Sequence, residues 1–149
     1  MIELTYEPLS PARCMDAVRA PGSGGIVVFT GCVRDFSEGQ TVHKLEYEAY
    51  EPMAMQALEQ VVEEVRSRWP INRIAVQHRL GELAVGEDAV VVAVACPHRG
   101  EAFEACRYAI DRLKEVVPLW KKEHGENGQA WVGSVATSTD PSNHDPRPG

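Results

Sequence analysis

Apolar and polar residues follow two different periods along the chain, and these periods predict its secondary structure. Alternation with a period of two predicts half-exposed strands at residues 42–50 and 73–80. Continuous apolar runs at residues 26–33 and 89–96 predict buried strands, the second of them central in its sheet. Shorter strands are predicted at residues 2–6 and 131–136.

Three other segments carry the signals of helices. Ser10 followed by Pro11 is typical of an N-cap and a first helical residue, and it predicts a helix to about residue 19. Apolar residues at helical spacing predict a second helix over residues 52–68. A third helix is predicted over residues 101–116, where Pro118 ends it. Its expected apolar stripe is Phe103, Cys106, Ile110, Leu113 and Val117.

The order of these elements predicts an α+β fold. The order β-α-β-β-α-β-β-α-β mixes hairpins with crossovers, which favours a mixed sheet with helices packed on it. Residues 35–41 are expected to form a polar loop, and Gly81 and Gly86 to bracket a turn region. At 149 residues the chain is expected to form one domain over residues 1–136, with a disordered tail at 137–149.

Composition excludes several classes of function. A formal net charge of -7 argues against general nucleic-acid binding, which depends on a basic face. The chain has neither an 18-residue apolar run nor the features of a signal peptide, so no membrane association is expected. Its four cysteines are widely spaced, which indicates free thiols in a reducing cytoplasm. Cys96 and His98 are too close in sequence for a usual zinc site, so no metal is expected.

Lys114 and Lys121 lie on either side of Pro118, next to Trp120, in a protein that is acidic overall. A local cluster of cations in such a chain points to an anionic ligand. If one lysine is desolvated, its lowered pKa also suits it to acid–base or nucleophilic chemistry. The alternative is a surface ladder of ion pairs along the helix, with Arg107 and Asp111 as neighbours of Lys114.

Two further cationic positions lie at the ends of predicted strands. His98 and Arg99 stand where a strand meets a helix, and helix N-termini bind phosphates and carboxylates. Arg34 follows the strand at residues 26–33, in a position where sites commonly form. The alternatives are solvation or ion pairs with nearby acidic residues. His43 and His78 lie on apolar strands, which favours hydrogen-bonded core or interface histidines over metal ligands.

Five segments in fixed order resemble the large, catalytic subunit of molybdopterin synthase over about residues 1–136. They are GGIVVFTGCVR (24–34), LEYEAY (45–50), HRLGELAVGE (78–87), PHRGEAFEA (97–105) and LKEVVPLWKKE (113–123). The resemblance implies an α/β-hammerhead fold with an additional small antiparallel sheet. It also implies a homodimer, and a heterotetramer with two small ubiquitin-like sulfur-carrier subunits. The carrier's C-terminal Gly-Gly thiocarboxylate would give sulfur to cyclic pyranopterin monophosphate and form the molybdopterin dithiolene, without a cofactor.

The resemblance also assigns roles to particular residues. Lys114 matches the family's essential lysine near the carrier's C-terminus, and Lys121 matches a second catalytic lysine. The implied substrate-binding residues are Cys32, Val33, Arg34, His98, Arg99, Lys122 and Glu123. Cys32 departs from relatives that carry a lysine after the glycine, which removes a cation there. Two alternatives are a non-catalytic module that docks an acidic or carboxylate-tailed protein, and an unrelated phosphate-ester enzyme that uses His98.

Overall fold

The computed structural model describes residues 1–125 and 128–133, which form three helices and nine strands. The helices are α1 (Pro11–Val18), α2 (Glu51–Arg68) and α3 (Arg99–Val116). The strands are β1 (Ile2–Thr5), β2 (Gly25–Cys32), β3 (Phe36–Ser37), β4 (Gln40–Ala49), β5 (Arg73–Arg79), β6 (Gly81–Ala84), β7 (Asp88–Cys96), β8 (Leu119–Gly125) and β9 (Gly128–Gly133). The predicted tail and the end of the last predicted strand lie outside the described residues.

The first sheet has four strands in the order β1-β5-β7-β2. β1 runs parallel to β5, and the other two pairs are antiparallel. α1 covers one face of this sheet, and α2 and α3 cover the other. Every residue of β7 after Asp88 is buried, which confirms the predicted central strand.

β5 is covered on both faces, so the prediction of a half-exposed strand at residues 73–80 is wrong. Gln77 is only 1% exposed because its side chain faces α1, where it accepts a hydrogen bond from the backbone N–H of Ser10. His78, on the other face, is only 4% exposed. Apolar alternation marks which face meets the larger core, but it does not show that a small helix covers the opposite face.

The second sheet has the path β3-β4-β8-β9, with β6 also paired to β4. Three elements here differ from the prediction. The expected loop at 35–41 contains the hairpin of β3 and β4, which turns through positive φ angles at Glu38 and Gly39. The turn region after Gly81 contains β6, and the residues after Pro118 form β8. These short strands carry mostly polar residues and lack the apolar runs from which strands are predicted.

The stripe predicted for α3 is only partly correct. Phe103 is 62% exposed, whereas the alanines at 102, 105 and 109 are buried with Cys106 and Leu113. Small side chains let the helix approach the sheet closely, which a search for large apolar residues does not anticipate. α1 begins as predicted, since the Ser10 side chain accepts a hydrogen bond from the Arg13 backbone N–H.

Together the three helices and two sheets confirm the α+β class and the additional antiparallel sheet. None of the described helices is both long and apolar enough to cross a membrane.

Candidate active site

A cavity of about 370 Å³ lies between the two sheets and the end of α3. Its apolar walls come from β4, β7, α3 and the start of β8, and include Leu45, Val90 and Leu113. Its charged groups are Arg34, Lys114, Lys121 and Glu123. An apolar pocket with a few convergent charged groups is the usual form of a small-ligand site.

The turn after α3 brings Lys114 and Lys121 to the same cavity. Lys114 lies in the last turn of the helix, which Pro118 cannot continue. The chain then enters β8, where Lys121 pairs with Tyr47 of β4 and points to the cavity side of the sheet. The end of α3 before Pro118 and the start of β8 therefore place both lysines on the lining of one cavity.

Arg34 reaches the cavity from the end of β2. The pairing of β2 with β7 shifts register between Gly31 and Cys32, and such irregularities redirect a strand. The Val33 backbone N–H then donates to the Glu87 carbonyl and anchors the following residue. Neither Arg34 nor Lys114 forms an ion pair with any described residue, so the alternatives based on ion pairs are not realised there.

The pKa of Lys114 is lowered from its ordinary value. Lys114 is exposed as a whole, but partial burial of its side chain at the cavity is the largest cause, followed by the charges of Lys121 and Arg34. The three cations line the same cavity, which accounts for this mutual repulsion. A lysine in this state is suited to neutralising an anion, and its lowered pKa makes it a better proton donor than an ordinary lysine.

Tyr47 and His78 form a neutral part of the wall. Burial, followed by the Glu123 charge, raises the pKa of the Tyr47 hydroxyl, which therefore stays protonated. Burial lowers the pKa of His78 to about 4, and the Lys114 charge acts in the same direction. Neither residue was assigned to the site from sequence. His78 is a hydrogen-bonded core histidine, as predicted. His43 is exposed within one chain, next to a shift in the register of β4 between Val42 and Lys44, so its predicted place in a core or interface is not in the core of the chain.

Cys32, Val33 and Glu123 line the cavity together with the three cations. Cys32 is an exposed free thiol, whereas Val33 is buried in the small core beneath the second sheet. Glu123 is the only acidic residue among those that line the cavity in the described part of the chain. The described residues contain no group of three or more side chains able to hold a metal ion.

Lys122 does not reach the cavity. Side chains alternate along a strand, so Lys122 points to the opposite face of β8 from Lys121. There its ammonium lies over the Trp131 ring, 5.1 Å from the ring centroid. This arrangement is a cation–π contact on the outer face of the sheet.

His98 and Arg99 also lie away from the cavity within one chain. They begin α3 beside Gly25, at the opposite end of β2 from Cys32. The length of β2 separates the two positions by roughly 23 Å, at about 3.3 Å per residue. Both residues are exposed. One chain therefore assembles Arg34, Lys114 and Lys121, but does not bring the predicted histidine–arginine pair to them.

Comparisons with known proteins agree with this fold. The family model described as MoaE protein matches residues 4–116. The molybdopterin synthase catalytic subunit of Nostoc sp. is 47% identical over 131 residues, covering 87% of this chain and 79% of that protein. The Bacillus subtilis protein of the same name is 44% identical, covering 92% of this chain and 87% of its own.

A crystal structure of molybdopterin synthase from Staphylococcus aureus superposes with a TM-score of 0.83 at 42% identity, covering 88% of this chain and 96% of that one. The match to the family model begins within β1 and ends at the last residue of α3. The chain belongs to the MoaE protein family, the family of molybdopterin synthase catalytic subunits.

Proposed function

We propose that this chain catalyses sulfur transfer as the catalytic subunit of molybdopterin synthase. The sulfur donor is the thiocarboxylated C-terminus of a small ubiquitin-like carrier, and the acceptor is cyclic pyranopterin monophosphate. The observation that carries the proposal is the convergence of three cations on one cavity in a chain of net charge -7. The unpaired state of all four cysteines supports a reducing cytoplasm as the place of the reaction.

Both partners in this reaction are anions, and the cavity offers each of them a cation. Lys114 receives the thiocarboxylate and stabilises charge while the sulfur attacks a carbon of the pterin side chain and displaces the oxygen bonded to it, with opening of the cyclic phosphate in the course of the two transfers. Water then cleaves the thioester that joins carrier and pterin, which leaves the sulfur on the pterin and a carboxylate on the carrier. Arg34 and Lys121 hold the substrate phosphate, for which a guanidinium is especially well suited. The apolar walls strengthen these interactions by excluding water, and a fixed donor in such a site is worth roughly 3–4 kcal/mol in the transition state.

The carrier's tail is extended and lacks side chains at its Gly-Gly end, so it needs little room to enter the cavity between the two sheets. The carboxylate that remains after transfer keeps its negative charge, and its retention by Lys114 would hold the spent carrier until it is exchanged. Two transfers are needed for one dithiolene, so the same cavity serves two carriers in succession.

His98 and Arg99 take part only if a second copy of the chain supplies them. Their distance from the cavity within one chain excludes simultaneous contact with one small substrate. A homodimer that places the exposed start of α3 over the partner's cavity would add two donors and a helix N-terminus to the phosphate site. Each active site would then contain residues from both copies.

Reconstitution tests the proposed reaction. The chain is mixed with thiocarboxylated carrier and cyclic pyranopterin monophosphate, and dithiolene formation is measured. Product that depends on all three components is expected. Carrier binding without any conversion of the pterin would overturn the proposal and favour the binding-module alternative.

Mixed dimers test the shared site. Lys114→Ala and His98→Ala variants are each expected to be poorly active. When they are combined, a mixed dimer has one site with both changes and one with neither, so up to half of the activity per dimer should return. If mixing restores no activity although mixed dimers form, His98 does not act across the dimer.

A further inference from the structure

His78 occupies a position on the cavity wall that the proposed reaction does not yet use. It lies near the end of β5, between α3 and β4, and is almost completely buried. Most of the residues around this part of the wall are apolar, including Val90 and Leu113. A histidine in such surroundings needs hydrogen-bond partners, because an unsatisfied buried polar group is costly.

One ring nitrogen of His78 already has a partner. Nδ1 lies 2.9 Å from the backbone carbonyl oxygen of Arg79. A carbonyl oxygen only accepts, so Nδ1 carries the hydrogen and donates it. In a neutral ring Nε2 is then a bare acceptor. Among the described residues, none donates a hydrogen bond to Nε2.

The surroundings of the ring keep it neutral and fix its orientation. Tyr47 packs against it edge to face, with ring centroids 5.0 Å apart and an interplanar angle of 77°. The charged groups that share this cavity are Lys114 of α3, Lys121 and Glu123 of β8, and Arg34 beyond β2. Three of these four are cations, which oppose a further positive charge on the imidazole.

We propose that His78 is a positioning residue whose Nε2 accepts a hydrogen bond from an N–H group of the ligand bound in the cavity. The inference rests on the proposed function, because both ligands of that reaction carry such groups. The extended carrier tail offers backbone amides, and the pterin offers ring N–H groups. Arg34, Lys114 and Lys121 can only donate, so His78 adds a fixed neutral acceptor for such an N–H group.

Two substitutions separate this role from the structural role of the ring. In His78→Gln the amide oxygen can take the place of Nε2, but the bond to Arg79 is lost. In His78→Asn the amide nitrogen can take the place of Nδ1, but nothing reaches the Nε2 position. We expect His78→Asn to bind the ligand roughly tenfold more weakly than His78→Gln, the effect of losing one hydrogen bond. His78→Asn should nevertheless be at least as stable towards urea.

The binding partners are measured separately, so that the source of the N–H group is identified. One titration uses carrier with an ordinary C-terminal carboxylate, and another uses cyclic pyranopterin monophosphate alone. If the two variants differ in affinity only for the carrier, the N–H group belongs to the carrier's tail. If they differ in affinity only for the pterin, the N–H group belongs to the pterin ring. Equal affinities of both variants for both ligands, with both variants folded, would overturn the proposal.

Nitrogen-15 NMR of the unmodified protein provides a readout that does not depend on either variant folding. The two ring nitrogens of a neutral imidazole have well-separated shifts, whereas those of an imidazolium are similar. We expect a neutral His78 with its hydrogen on Nδ1 at pH 7, and a shift of the Nε2 signal when ligand is added. An imidazolium, or a hydrogen on Nε2, would refute the inference. Because these spectra require no turnover, failure of the proposed reaction would be seen separately.

Discussion

Replacement of Lys114 by Met should lower turnover while leaving the protein as stable as before or more stable. Lys114 is held near two other cations, and neither burial nor charge around it favours its ammonium group. Methionine keeps an unbranched side chain of similar length but carries no charge. The substitution therefore removes the proposed catalytic group and the local repulsion together.

The sizes of the two effects follow from the site. Loss of one preorganised electrostatic donor lowers turnover roughly 100- to 1000-fold. As an upper bound, like charges as close as about 4 Å repel by about 1 kcal/mol in water and by about 4 kcal/mol in a less polar environment. Lys114 is partly exposed, so the lower figure applies, and the free energy of unfolding should rise by up to about 1 kcal/mol. For a chain of this length that is about 2–4 °C in Tm.

The pH dependence of the free energy of unfolding shows independently whether the Lys114 charge stabilises or destabilises the folded protein. The folded state lowers the pKa of Lys114 below 10.5, so the unfolded state binds more protons as that group titrates. Wild-type stability relative to Lys114→Met should therefore be lowest at neutral pH. It should recover as the pH rises through the folded pKa towards 10.5. Urea unfolding of both proteins across this range measures the difference.

Lys44→Met is a matched control for this experiment. Lys44 lies on the outer face of the second sheet, where its ammonium is 3.1 Å from the Glu82 carboxylate. Its loss should lower stability by at most about 1 kcal/mol and leave turnover unchanged. Wild-type turnover in Lys114→Met would refute the catalytic role of Lys114. Lower stability in Lys114→Met than in wild type at neutral pH would refute the argument from charge repulsion.

Two further predictions concern the faces of β8 and the contact between helices. Of these two lysines only Lys121 lines the cavity, so Lys121→Met should lower turnover at least about tenfold and Lys122→Met should change it less than about twofold. Equal losses of turnover in steady-state assays of the two variants would contradict this. Glu64 of α2 accepts hydrogen bonds from Arg112 (2.9 Å) and Tyr108 (2.6 Å) of α3, and these bonds lower the pKa of the Glu64 carboxyl group. The ionised carboxylate therefore stabilises the folded state at neutral pH, and this stabilisation is lost as the pH falls through the folded pKa. Glu64→Gln should lower stability at pH 7 by about 1 kcal/mol and flatten the acid limb of the stability curve, and an unchanged acid limb in thermal unfolding would contradict the assignment.

Long periodic segments made most of the fold predictable from sequence. Helices α1, α2 and α3 and strands β2 and β7 were predicted within two residues at each end, because each carries a sustained pattern or a cap. The short strands β3, β6 and β8 were missed. Their pairing with β4 is a tertiary event, and their own residues are too few or too polar to indicate it.

The candidate site was predictable in part, where its residues flank elements with a clear sequence pattern. Arg34 and the two lysines stand at the ends of predicted elements, and the cavity brings all three together. Lys122 is the neighbour of Lys121 in sequence, but the face it occupies follows from β8, which was not predicted. His98 and Arg99 show the limit of reasoning on one chain, because residues at opposite ends of a strand cannot meet unless a second copy is added.

A cationic cavity in an otherwise acidic chain favours bringing two anionic partners together. The rest of the chain is acidic enough to outweigh fifteen lysines and arginines. Screening by physiological salt limits the repulsion of anions by that acidic surface to within about 8 Å, so the local cluster decides what enters the cavity. Two anions that must react repel each other, and a set of fixed cations between them removes that barrier before the chemistry begins. The same cations repel one another in the empty site. The fold therefore bears a cost that binding of the two anionic partners would relieve.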